Sequence, residues 1–402
     1  MVGAGIFSLL GVTAEVAGAA AWLSFVIAAG VAGPQGYSLA KLGARYPTAA
    51  GMLEYLSRGF GRGHLAAISA WLVFAANAAV TAMVAVAFGE YASALFFSSN
   101  TTWTDIFAAA VILGMAAVNV AGTKAIARAQ GVIVVIVVGI LAIFSVVTLA
   151  TMKPHLLAPS GYPSWNHVIS GVALTFFAFL GSGIVTFTAK DLARPKEQLP
   201  RAMSIALGIA LALDVAIALG VAAQPVLGKA GYVLLSVTAL FATAGATNGL
   251  LYPVAGASRE LAATRVFPPV LGGDLKGRAN VGLLLTVAVS LIMAVFFNLT
   301  AIASVGSAVA LLIFGLITTG HFRIYRDTGA RLSLLVVAMA TIAIVLVASV
   351  LETLVREPAA MVALAAIVVL AIIFDLVWSR LRANQISAFP PLAVVKGGLH
   401  EY

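Results

Sequence analysis

Apolar runs far longer than a strand organise this chain. They occupy 2–17, 21–40, 65–88, 104–121, 131–151, 166–188, 202–222, 233–256, 280–298, 301–320, 332–351 and 359–379. All but the first approach the ~20 residues that carry a helix across a bilayer core. The pattern predicts an all-α polytopic membrane protein of about twelve transmembrane helices, the first one short.

The polar stretches between the runs test that count independently, because cytoplasmic loops retain Lys and Arg. With the start inside, the inner loops hold Lys41, Arg45, Arg58 and Arg62, then Lys124 and Arg128, then Lys190, Arg194, Lys196 and Arg201. Further on come Arg259, Arg265, Lys276 and Arg278, then Arg323, Arg326 and Arg331, and finally Arg380, Arg382 and Lys396. Of 23 basic residues, only Lys153, Lys229 and Arg356 fall outside these loops. A wrong helix count would scramble the alternation, so the C-terminus is expected on the cytoplasmic side. The formal net charge of +9 then requires no nucleic-acid partner. It is the retention signal, with attraction to anionic lipid of the inner leaflet added.

Composition narrows the function classes. The chain is 62% hydrophobic and only 9% charged, against roughly 25% charge in a soluble domain, and its mean hydropathy is +1.09. Cysteine is absent, which removes disulfides, thiolate metal sites and a Cys nucleophile. His64, His155, His167, His321 and His400 lie at helix ends, in loops or in the tail without ligand spacing, so no metal and no cofactor is expected. No G-x-x-x-x-G-K-[ST] phosphate loop occurs, so a solute would have to move on a gradient or by exchange. Gly272-Gly273-Asp274-Leu275-Lys276-Gly277 reads as a polar turn between helices.

Within the apolar runs one pattern recurs. Gly3-Ala4-Gly5-Ile6-Phe7 in the first returns as Gly181-Ser182-Gly183-Ile184-Val185 in the sixth. A single G-x-G in a membrane helix is more often a close-packing device. Glycines at corresponding places in two halves of a chain instead suggest helices broken at the bilayer midplane, where freed backbone groups can hold a solute. A helix broken at Gly3 to Gly5 would need an inner half preceding Met1. The chain carries no basic n-region before its first apolar run, so no signal peptide is expected to be cleaved.

The segment VGAGIFSLLGVTAEVAG, with AWLSFVIAAGVAGPQGYSLAKLGARYPTAAGMLEYLSRGFG after it, resembles the opening of amino acid permeases of the amino acid-polyamine-organocation superfamily. In that family a G-S-G-I-F helix break precedes a second helix ending in Y-x-E-L-x-x-x-x-P-x-x-G-G-x-Y. The likeness continues through Asn119-Val120-Ala121-Gly122-Thr123-Lys124 to Gln130, FFAFLGSG, KDLARPKEQLPRA and the stretch from Ser258-Arg259 to Phe267-Pro268.

The resemblance implies one transmembrane domain over 1–402. Two inverted five-helix repeats would lie at approximately 1–152 and 165–320, two extra helices at 332–379 and a cytoplasmic tail at 380–402. It further implies a secondary active permease of amino acids or related small amines, in a bacterial inner (plasma) membrane, working by alternating access.

The substrate would sit between broken helices one and six. Amides at Ala4, Gly5 and Ile6 would meet its carboxylate, helped by the positive end of the half-helix dipole. Carbonyls around Phe179, Leu180, Ser182 and Gly183 would accept from its ammonium, with breaks at Gly3, Gly5, Gly181 and Gly183. Phe177 falls where the family places an aromatic gate, or else packs within the Phe176, Phe177, Phe179 cluster.

Some positions depart from the family. The second-helix Glu is Lys41, Gly183 replaces an acidic residue, and Val132 to Leu141 lacks the lysine of some proton-coupled relatives. Asp214, in mid-span among Ala212, Leu213, Val215 and Ala216, is either a structural carboxyl or a proton carrier. Asn248 with Thr243 and Thr247 makes a polar stripe, for helix–helix hydrogen bonding or for lining a site.

Two further readings stand beside the permease. A major-facilitator-type solute carrier fits the length but predicts a six-helix repeat, and Arg58-Gly59-Phe60-Gly61-Arg62 only faintly matches its second-to-third loop. An N-terminally truncated, inactive permease or an intramembrane enzyme is the other, although Asp214 has no evident catalytic partner. Scarce charge in the predicted core favours a neutral, zwitterionic substrate.

Overall fold

The computed structural model describes residues 2–61, 63–97, 99–151, 162–179, 181–222, 228–356 and 358–387. The helices are α1 Val2–Ala17, α2 Ala21–Arg45, α3 Met52–Phe60, α4 His64–Phe96, α5 Thr101–Val120, α6 Thr123–Thr151, α7 Trp165–Thr175 and α8 Gly181–Ile184. They continue as α9 Pro195–Ala222, α10 Gly228–Ala263, α11 Pro269–Gly272, α12 Val281–Phe296, α13 Leu299–Thr328, α14 Leu332–Arg356 and α15 Pro358–Ser387. Strands β1 Asp274–Leu275 and β2 Ala279–Asn280 pair antiparallel, Asp274 opposite Asn280. They form a small hairpin inside the loop expected to be a polar turn.

Among the described residues nine stretches are long and apolar enough to cross a membrane, the first of them spanning Leu9–Arg45 and so both α1 and α2. Two expected crossings stand apart for physical reasons. The ninth, α12, is a shorter apolar helix of 16 residues, and the sixth is interrupted along its length. The helices also outrun their apolar runs, α9 and α13 extending into the polar loops. An apolar run marks the hydrocarbon layer, whereas backbone hydrogen bonding continues past it.

Local chemistry sets several ends. Asn100, Asn280 and Asn298 cap α5, α12 and α13 by accepting from the amides of Thr102, Leu283 and Ala301, which satisfies donors a helix start leaves orphaned. Gly329 closes α13 at φ 62°, the left-handed turn that glycine adopts without a Cβ penalty.

Helix α4 is the centre of the molecule. It packs along α5, α10, α12, α13 and α15, and 83% of its apolar window is buried against 17% for α15. Outward-facing Val135, Ile143, Ile292, Phe296, Ile344 and Val369 are exposed. So much exposed apolar surface would aggregate in water; on membrane helices it is the face that meets lipid. Small residues bring backbones together at the crossings. A Cβ on Gly59 would meet the Gly320 backbone, and one on Gly89 the Thr104 carbonyl, the close approach that membrane helices use in place of a hydrophobic drive.

Candidate functional site

The sixth apolar segment changes helix type three times. α7 gives way to a 3₁₀ turn at Phe176–Phe179, then to the single turn α8, then to a second 3₁₀ stretch at Val185–Asp191. Such switches leave carbonyls and amides out of the i to i−4 ladder and mark functional hinges. The segment is held from outside. Thr175 Oγ1 donates to the Ser24 carbonyl at 3.1 Å while Ser24 Oγ donates to the Val168 carbonyl at 3.1 Å, tying α7 to α2. Thr186 and Thr188 hydroxyls donate to the carbonyls of Gly183 and Val185, at 2.6 and 2.8 Å, taking up main-chain acceptors beside the break.

The first segment meets it at one point. A Cβ on Gly5 would strike the side chain of Ala178 and lie 2.8 Å from its Cα. α1 and the 3₁₀ turn therefore cross with their backbones nearly touching. Ile6 and Phe179 are both 1% exposed there. Tyr91 of α4 donates its hydroxyl to the Phe7 carbonyl at 3.0 Å, its ring edge-on to Phe7. α1 itself runs α-helical through Gly3 and Gly5.

A cavity of about 210 Å³ opens along the same segment from Gly181 through Ile184 to Phe187. Its other walls come from α3, α4, α6, α10 and α13, and no charged side chain lines it. Ser182 and Gly183 are buried. A Cβ on Gly183 would come within 2.9 Å of Met52 Sδ and 3.3 Å of Phe314 Cζ. Phe314 also stands edge-on to Phe176, centroids 6.3 Å apart. On α3, burial pushes the Tyr55 phenol above its ordinary range, so it stays neutral where it abuts α2 at Gly43.

Three polar features of the cavity wall went unnoticed in the sequence. Asn77 on α4 donates to the Leu250 carbonyl at 3.0 Å. Gln130 on α6 accepts from Asn248 through Oε1, and its amide nitrogen has no hydrogen-bond partner among the described residues. Pro253 lies inside α10 and has no N–H, so the carbonyl four residues back, on Gly249, loses its helical donor. Both residues line the cavity, and a Cβ on Gly249 would meet open space. The spacing Gly249-x-x-x-Pro253 was the available signal.

The remaining sequence-stated candidates are dispersed. Asn248 is fully buried between Asn119, which donates to it at 3.0 Å, and Gln130, to which it donates at 3.1 Å. Thr243 and Thr247 turn their hydroxyls back to the carbonyls of Ala239 and Thr243. Asp214 is fully buried on α9 with both carboxyl oxygens unpartnered among the described residues. Of the described residues singled out in the sequence as a site, Gly181 lines the cavity, whereas Gly5, Ile6, Phe179, Ser182, Gly183, Asp214, Thr247 and Asn248 do not. Leu180 and the side chains of Ala4 and Phe177 lie outside the described residues.

Residues 1–228 match the family model for an amino acid permease. The chain is 29% identical to the inner membrane transport protein YbaT of Escherichia coli, across 86% of each chain. It is 26% identical to the branched-chain amino acid permease BcaP of Lactococcus lactis, across 83% of this chain and 80% of that one. With the cationic amino acid transporter 4 of Homo sapiens it shares 27% identity over 52% of this chain and 36% of that protein.

Proposed function

The chain belongs to the amino acid permease family, and from that membership we propose that it is a secondary active transporter of an amino acid or related small amine, working by alternating access in a bacterial inner membrane. The observation that carries the reading is the near contact of Gly5 and Ala178 beside a cavity entered by the interrupted sixth segment. Two thinly clad backbones meeting at a discontinuity are what a main-chain substrate site requires.

On this reading the chain makes twelve crossings, with inverted repeats at approximately 1–152 and 165–320 and the C-terminus in the cytoplasm. The substrate carboxylate meets amides of Ala4, Gly5 and Ile6. An α-helical ladder already occupies the later of these amides, so the first turn of α1 must open, which glycines make cheap. The ammonium meets carbonyls of Phe179, Leu180, Ser182 and Gly183, with the freed Gly249 carbonyl across the cavity. Phe177 acts as the gate. Substrate exit toward the cytoplasm runs past Met52 and Leu53 of α3, which line the cavity. Family membership sets the major-facilitator reading aside.

A cavity without a charged side chain suits a neutral substrate, because a cationic one would ordinarily be met by a carboxylate. The branched-chain permease among the relatives accords with that, and the cationic transporter supplies the competing case. Uptake of labelled amino acids into proteoliposomes, with and without a pH gradient, tests the proposal. Saturable accumulation of a neutral amino acid is expected; uptake confined to Lys and Arg would reject the neutral assignment, and no uptake of any amino acid or amine would reject the function.

A further inference from the structure

A second cavity, about 710 Å³, lies between the end of α2, the start of α9 and the end of α13. Lys41 and Arg45 enter it from α2, Lys196 from α9 and Arg326 from α13, against the single carboxylate of Asp327. None of the four cations forms an ion pair among the described residues. Lys41 lies over the Tyr37 ring at 5.8 Å, and Arg326 donates to the Tyr325 hydroxyl at 3.2 Å. Four cations gathered in one groove against a single carboxylate repel, and an anion seated among them would relieve that cost.

The groove is built, not a chance meeting of loop side chains. α13 departs from helical geometry at Ile324, and beyond that kink Thr328 is held by the buried His321, whose Nε2 is 2.7 Å from Thr328 Oγ1. His321 Nδ1 is in turn 2.8 Å from Ser38 Oγ on α2. Tyr37 accepts from the Arg331 amide at 2.9 Å, pinning the chain just past Gly329. These bonds keep the last turn of α13, with Arg326, against α2.

Depth identifies the class of anion. Lys41 is twenty residues along α2 from Ala21, about 30 Å at 1.5 Å per residue, which is one hydrocarbon thickness. The cations therefore stand at the level of lipid phosphates, and Ala40, Ala44 and Pro200 give the groove an apolar flank. We infer that this groove binds the phosphate headgroup of an anionic lipid from the leaflet on the basic-loop side. The choice of leaflet rests on the orientation proposed above, since basic pockets between helices on the cytoplasmic side suit such headgroups.

Binding to the folded state raises the thermal midpoint. The test adds phosphatidylglycerol, phosphatidylcholine or inorganic phosphate, at equal concentration and ionic strength, to purified protein in detergent. Phosphatidylglycerol is expected to raise Tm by several degrees and phosphatidylcholine not to. Lys41→Gln and Lys196→Gln should each lose at least half of that rise, while Lys124→Gln, outside the groove, keeps it. Both substituted residues are solvent-accessible, and an unchanged Tm without lipid confirms that the variants fold. An equal rise with phosphatidylcholine, the full rise with inorganic phosphate alone, or an undiminished rise in both groove variants would overturn the inference. Tm is read without transport, so a protein that transports yet shows no lipid preference refutes this inference alone.

Discussion

At the residue scale the account turns on atoms that glycine leaves out. A methyl at Gly5 would collide with Ala178, and overpacking of that kind costs about 1–3 kcal/mol. Gly5→Ala should therefore lower the uptake rate at least tenfold, and Gly5→Ala with Ala178→Gly should recover part of the loss. If the single variant transports normally, the crossing is not part of the site. The sequence made the glycine pair visible because its repeat stands out. It could not show that Ala178, an ordinary residue in an apolar run, is what Gly5 meets.

The polar residues separate by what they touch. Asn248 spends its amide on Asn119 and Gln130, so Asn248→Ala should lower stability by about 1 kcal/mol, as interhelical hydrogen bonds in membranes do, read as Tm in detergent. Gln130→Leu breaks the same bond to Asn248 and should lower Tm similarly, but it should also slow labelled uptake several-fold, since Gln130 lines the cavity. Asp214 is buried, has no hydrogen-bond partner among the described residues and does not line the cavity. We expect Asp214→Asn to keep uptake driven by a pH gradient; loss of accumulation with exchange intact would make Asp214 the coupling residue.

At the element scale, existence was legible and internal texture was not. Apolar runs located the nine stretches long enough to cross a membrane among the described residues, because the hydrocarbon layer imposes a length. They could not reveal the 3₁₀ turn at Phe176–Phe179, since those four residues are apolar throughout and carry no alternation that would separate three residues per turn from 3.6. Helix α3 was also invisible as an element: nine residues are too few to form an apolar run, although they wall the cavity. Pro253 offers a test at this scale. Pro253→Ala would return a donor to the Gly249 carbonyl, so Tm should rise or hold while uptake falls several-fold. Unchanged uptake would remove the Gly249 carbonyl from the site.

At the scale of the whole molecule, alternating access requires that the cavity be reached from one side, occupied, and then reached from the other. The natural absence of cysteine allows a direct reading. Ala246 lines the cavity from α10, so Ala246→Cys places a single thiol beside the proposed substrate. The decisive measurement is the rate at which a membrane-permeant maleimide labels that thiol in proteoliposomes, with and without the transported amino acid at saturation. The account predicts labelling in its absence and at least fivefold slower labelling in its presence, with a non-transported amino acid giving no protection. Labelling at the same rate with and without a substrate that the variant still transports would place the substrate elsewhere and contradict the account.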